Sequence, residues 1–194
     1  GRQVVAGARS MAADLGLTVI CGNVPDTRLS KQVNSTWDLF CAGSFEEDVD
    51  AIASAFALAQ RPRLVGAVAA GVREFGQSVA RNDGVYGVAQ WFPGRSVRPA
   101  LGPSESDFLL TYSAPAGTVP DYPAIQAVAA AVIAAHCART AGSISRASLW
   151  AAATELRTTT LYGDFRIDPV TGTQLGHETV LLRWTENGLT PEPA

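Results

Sequence analysis

Three apolar runs, Trp37–Cys41, Arg63–Val68 and Gly84–Trp91, recur between stretches of helical period, and that alternation limits what this chain can fold into more than any other feature. Each run reads as a strand of a parallel sheet, with a helix leading to the next. Between the first two, Val49, Ile52, Ala53, Phe56 and Ala59 share one face of a helix expected over Phe45–Gln60. Glu46, Glu47 and Asp48 crowd its first turn, where the helix dipole favours negative charge, and they read as a solvated face. Val72–Ala80 supplies a shorter helix before the third run. A further pair opens the chain. Val4, Val5, Ala8, Met11, Ala12 and Leu15 mark a helix stopped by Gly16, and Leu17–Cys21 follows as an expected buried parallel strand. Strands alternating with helices predict a parallel α/β sheet. A parallel unit enters its helix from a strand, and none precedes Val4, so the opening reads as a truncated unit and the chain as a fragment.

The polar segment Asn23–Thr36 leaves room for a short helix at most. After Trp91 the pattern changes. Pro93, Gly94, Pro99, Gly102 and Pro103 mark a crossover, and three unusually apolar helices are expected at about Ser104–Tyr112, Asp121–Thr140 and Ser145–Leu156. In the long one, Ile125, Val128, Ala129, Val132, Ile133 and His136 line one face while alanine covers the rest, which predicts packing on more than one side. Gly163–Asp168, a Pro169–Gly172 turn and Glu178–Trp184 read as a β-hairpin with a polar tail behind it.

Composition excludes several classes. With 194 residues, 47% of them hydrophobic, 17% charged and a net charge of −3, the chain is a globular domain or two small lobes. All cations but Lys31 are arginine and they are scattered, so nothing suggests a nucleic-acid partner. The longest apolar stretch, Ala127–Ala135, is broken by His136 and Arg139, short of the roughly 20 residues of a membrane span. Cys21, Cys41 and Cys137 have no metal-site spacing. Cys21 and Cys41 are either buried thiols or, if their strands are neighbours, a pair, which leaves the redox compartment open. The first residues do not form a signal peptide, so for an exported protein the signal lies outside this chain.

There is no GxSxG elbow and no phosphate loop, and Gly71–Gly76 lacks the glycine spacing of a dinucleotide site. His136 reads as a core or interface histidine and His177 as a surface turn residue. No catalytic residue, metal or cofactor is expected, and the chain reads as a non-enzyme; an enzyme would need a nucleophile beside one of those histidines. In open parallel sheets ligands bind beyond the carboxyl ends of the strands. Of the three loops there, Cys21–Pro25, Ala42–Glu46 and Ala67–Val72, the second offers most. Gly43 permits close backbone approach, Ser44 presents a hydroxyl while capping the helix, and Phe45 supplies a flat apolar surface. The same residues also read as a plain N-cap and a staple to the core.

The order of elements and several phrases together resemble the type I periplasmic solute-binding proteins, in their branched-chain amino acid branch. The resemblance rests on Gly84–Gly87 running into Trp91-Phe92-Pro93, on Phe108 and Tyr112, on Pro120-Asp121-Tyr122 and on the alanine-rich helix ending Thr140–Ser143. Leu149–Ala153, Thr160–Asp168 and Thr171–His177 continue it. It implies a clamshell of two α/β lobes joined by three crossovers. Residues 1–92 and 163–185 would form the second, parallel-sheet lobe. Residues 93–162 would be crossover and helices belonging to the other, largely missing lobe, and 186–194 a tail. The implied function is extracytoplasmic binding of a small solute, an amino acid or related molecule, for an ABC transporter, in the periplasm or anchored to the cell envelope. The partners would be that small-molecule ligand and an ABC permease or a receptor. The alternative is a ligand-sensing or protein-interaction module of the same fold that delivers no solute. Helices without their partner sheet would expose apolar area and favour a homodimer. The resemblance puts Phe45, after Gly43 and Ser44, where an aromatic packs on the ligand, and the expected cleft-lining set is Gly43, Ser44, Phe45, Ala70 and Trp91; Trp91, at the hinge end of its strand, reads equally as a core tryptophan. The acid that would hold a ligand ammonium falls near Val68, where none stands, a loss of about 1.5–3 kcal/mol per charge-assisted bond.

Overall fold

A computed structural model describes residues 2–22 and 36–193. In chain order its elements are α1 (Arg2–Asp14), β1 (Leu39–Cys41), α2 (Phe45–Phe56), β2 (Val65–Ala67), a 3₁₀ turn (Ala69–Gly71), α3 (Glu74–Ser78), β3 (Val85–Ala89), α4 (Glu105–Ala116), α5 (Tyr122–Ala141), α6 (Arg146–Glu155), β4 (Thr158–Thr160), β5 (Gly163–Phe165), β6 (Val180–Thr185) and β7 (Gly188–Pro191). They form two compact units. The first comprises Gly1–Ala89 with Leu181–Ala194, the second Gln90–Val180.

The first unit is built on a five-stranded sheet of order β1-β2-β3-β6-β7. Strands β1, β2 and β3 run parallel, with Leu39 opposite Val65 and Val65 opposite Val85, as the alternation with helices predicts. Ile52 of α2, Val65, Ala67, Phe75, Val79, Val85 and Trp184 form the core beneath it. Gly87 and Gly71 let the 3₁₀ turn lie directly on β3: a Cβ on Gly87 would meet the Ala70 carbonyl oxygen at 2.2 Å. Gly76 makes room in the same way for the Trp184 ring.

Three expectations are corrected here. Leu17–Cys21 is not a strand: the Leu17 N–H turns back to the Ala12 carbonyl of α1, and Leu17, Val19, Ile20 and Cys21 stand exposed. An apolar run becomes a strand only where a neighbour takes its ladder, and local pattern does not report that. Cys21 and Cys41 are accordingly unpaired, and of the two only Cys41 is buried. The hairpin joining Gly163–Asp168 to Glu178–Trp184 does not form either. β5 pairs with β4, while β6 pairs antiparallel with β7, which occupies the stretch read as a polar tail. Asn187-Gly188, with Gly188 at φ +97°, supplies the tight turn between them. Asp168 to Gly172 still makes a turn, closed by the Ile167–Gln174 bridge. The short helix weighed for 23–36 lies, but for Thr36, outside the described residues.

In the second unit, Phe108 and Leu109 of α4, Tyr122 and Val128 of α5 and Tyr162 at the β4–β5 turn pack on Trp91, Ile125 and Leu161, and α6 lies against α5. Its helix ends follow local chemistry. Ser104 and Ser145 accept the N–H of Asp107 and Ser148 as N-caps, and Gly142 ends α5 at φ +59°. Ile125, Ala129 and Cys137 are the buried residues of α5, and α6 has none. At 20 residues α5 is also long and apolar enough to cross a membrane, so the length argument drawn from Ala127–Ala135 does not hold for the helix.

Candidate functional site

The loop after β1 is set by its own helix. Ser44 caps α2: its Oγ accepts the Glu47 N–H at 3.3 Å, and its own N–H donates to Glu47 Oε2 at 2.8 Å, the reciprocal arrangement of a capping box. Ser-x-x-Glu is legible in the sequence. Asp48, one residue further, is not solvated as its neighbours' pattern suggested. It is 2% exposed, and its carboxylate accepts the Gly43 N–H at 2.7 Å and the Ala69 N–H at 3.1 Å. Ala69 opens the 3₁₀ turn after β2, so two loops at the carboxyl ends of neighbouring strands meet on one side chain. The first signal for Asp48 in the sequence, its place in an acidic helix start, pointed to solvent instead.

The electrostatic consequence is specific. A helix N-terminus ordinarily offers free N–H groups to an anion. Here the Gly43 and Ser44 amides already donate to this chain's own carboxylates, and Glu46 adds an exposed negative charge beside them. The loop is therefore poorly disposed to an anion. What it presents outward is the Ser44 hydroxyl, the Gly43 backbone and the exposed part of Phe45, whose ring otherwise packs on the core. Cys41, just behind it, is chemically quiet: burial, reinforced by the Asp48 charge, pushes its thiol up to about 12.

The remaining expected site residues take interior positions. Ala70 has no accessible surface, and its carbonyl accepts the Trp184 indole N–H at 2.9 Å. Trp91, in the second unit, is 4% exposed; its indole N–H donates to Ser96 Oγ at 2.6 Å, and that hydroxyl donates to the Leu161 carbonyl at 2.7 Å. In this arrangement neither offers surface to a solute. The Gly43–Phe45 loop does.

His177 also departs from its expected surface role. Its ring stacks on Tyr162 with centroids 4.2 Å apart and planes 5° from parallel, and both ring nitrogens are withdrawn from solvent. Burial lowers its imidazole below the ordinary value of 6.5, against the opposing influence of the Gln90 backbone and Glu178. The Tyr162 hydroxyl donates to Gln90 Oε1. Among the described residues no group of histidine, cysteine, aspartate and glutamate side chains could hold a metal ion. A cleft of about 440 Å³ in the first unit, lined by Phe56, Arg61, Arg81, Asn82 and Asp83 among others, lies before β2 and β3, at the strand ends opposite the Gly43 loop.

This backbone has solved counterparts. A leucine-binding protein of Thermotoga maritima matches it with a TM-score of 0.68 at 16% identity, over 80% of this chain and 43% of that one. An amino acid ABC transporter substrate-binding protein of Pseudomonas fluorescens Pf-5 matches with a TM-score of 0.71 at 16% identity, over 99% of this chain and 55% of that one. The fold is that of part of a type I periplasmic-binding protein. The chain spans about half the length of these structures. No family model and no curated protein matches the sequence.

Proposed function

We propose that this chain is a binding module for a small neutral or zwitterionic solute of the amino acid class, with the Gly43-Ser44-Phe45 loop as its contact surface. The observation that carries the reading is the fold: the chain follows amino acid substrate-binding proteins over most of its length, and the exposed Gly43–Phe45 loop at the carboxyl end of β1 combines a hydroxyl with an aromatic face. The acidic first turn of α2 suits the ammonium end of such a solute better than its carboxylate. By the same fold likeness, the module works outside the cytoplasm, delivers solute to an ABC permease and carries no catalytic machinery. In this reading 1–92 with 181–185 stands for one lobe and 93–162 for helices that pack on the other; residues 163–180, expected with the first, group with 93–162. Thermal unfolding of the full chain with L-leucine, small amides, aromatic acids and sugars tests this. A solute at about 100 times its Kd stabilises the folded state by about 2.7 kcal/mol. A dose-dependent rise in midpoint for the amino acids is expected. No rise with any of them removes the reading.

A second reading, an interaction module that delivers no solute, is favoured by the exposure of Leu110, Ile144 and Trp150 on the helical unit, at 77%, 85% and 44%. It predicts a homodimer in light scattering that Ile144→Lys dissociates.

A further inference from the structure

We propose that Asp48 is the positioning residue of the solute loop, a buried carboxylate that ties the Gly43 loop to the 69–71 turn and so fixes the geometry in which Ser44 and Phe45 are presented. This rests on the solute-binding reading above. An acid that only complemented the dipole of α2 would sit in water, as Glu46 does. Asp48 is instead withdrawn from solvent, which is costly for a carboxylate unless its oxygens are hydrogen-bonded. Both are: one takes the Gly43 N–H at 2.7 Å, the other the Ala69 N–H at 3.1 Å. Two acceptor oxygens pointing apart and no donor are the chemistry this bridge needs.

The two tied segments differ in freedom. The 69–71 turn is an anchor, pressed on β3 so closely that a Cβ on Gly71 would meet the Val88 carbonyl oxygen at 2.2 Å, and held from the other side by Trp184 Nε1 on the Ala70 carbonyl. The Gly43 loop is exposed, and its approach to α2 is tight enough that a Cβ on Gly43 would lie 2.9 Å from Glu47 Cβ. Asp48 therefore transmits the position of a rigid turn to an exposed loop. Asparagine has the same shape, but its amide would set a donor against one of the two N–H groups and release that loop.

Amide hydrogen exchange by NMR on the full chain tests this in the wild type, Asp48→Asn and Ile52→Val, the last loosening the same core without touching the bridge. Gly43 and Ala69 are expected to be protected in the wild type, although Gly43 is exposed. At least one of the two should exchange about tenfold faster or more in Asp48→Asn, relative to Val65 and Val85, and keep its relative protection in Ile52→Val. Unprotected Gly43 and Ala69 amides in the wild type overturn the proposal even if Asp48→Asn fails to fold, and so does equal protection in the variant. L-Leucine added to the same samples separates the two ideas. Wild-type shifts at Ser44 and Phe45 that weaken in Asp48→Asn support the positioning role, and identical responses overturn it. A wild type blind to leucine whose bridge still opens in Asp48→Asn refutes leucine as the solute and leaves the bridge standing.

Discussion

Two glycines in adjacent strands should respond to alanine with opposite sign. Gly66 in β2 has open surroundings: an added Cβ would touch Phe40 Cδ2 at 3.5 Å, an ordinary contact. Gly87 in β3 faces main chain, with the Ala70 oxygen at 2.2 Å and its carbonyl carbon at 2.3 Å. Reaching the 3.4 Å of a normal contact requires a backbone shift of about 1.2 Å. No side chain can swing away to supply it. The turn that must move is held by Trp184 Nε1 on the Ala70 oxygen at 2.9 Å and by Asp48 on the Ala69 N–H at 3.1 Å, and a shift of that size breaks both bonds. Each buried group left unsatisfied costs about 1–3 kcal/mol, so Gly87→Ala should destabilise by about 2–6 kcal/mol. Gly66→Ala should be neutral or stabilise by up to about 1 kcal/mol, because it removes unfolded-state freedom without strain. Urea unfolding of both variants, followed by circular dichroism, gives the two values. A Gly87→Ala midpoint equal to that of the wild type, or a Gly66→Ala loss as large as that of Gly87→Ala, refutes the close approach of the turn to β3.

Other outcomes follow from single groups. Cys21 is exposed, whereas Cys41 and Cys137 are buried with thiols raised by that burial, so a maleimide at neutral pH should modify Cys21 in the native protein and the other two only after unfolding; mass spectrometry of the labelled peptides decides. His177 has a folded pKa below 6.5, so its contribution to stability is complete above about pH 6.5 and is lost as pH falls through the lowered value. Melting midpoints between about pH 7 and 5 should fall in the wild type and fall less in His177→Phe, which keeps an aromatic partner for Tyr162; parallel curves contradict the buried stack. Ser44→Ala should cost about 0.5–2 kcal/mol in equilibrium unfolding by removing the cap of α2, and Ser44→Asp should restore most of it.

What the sequence disclosed was local. The cap at Ser44 and the helix starts at Ser104 and Ser145 depend on a few neighbouring atoms, and they stand where the residue types put them. The alternation of apolar runs with helices also carried through to three parallel strands. Pairing was the part that pattern could not reach, because it depends on distant chain. Leu17–Cys21 has the composition of a strand and no ladder partner, and Leu189 and its neighbours, polar on average, became β7 because the Asn187-Gly188 turn folds them onto β6. At the candidate site, the exposed loop with Ser44 was legible. Asp48 was not, since its burial follows from the 69–71 turn lying over it; Ala70 is held inside by the Trp184 indole, and Trp91, readable as cleft or core, is held inside by its bond to Ser96.

Solute contact at the Gly43 loop is the claim on which the account turns. A titration of the isotopically labelled full chain with L-leucine, read residue by residue from amide chemical shifts, tests it most directly. Saturable shifts centred on Gly43, Ser44 and Phe45 are predicted, with Arg61 and Asn82 at the opposite strand ends unmoved. Shifts centred on Arg61 and Asn82, or none anywhere at millimolar leucine, would contradict it.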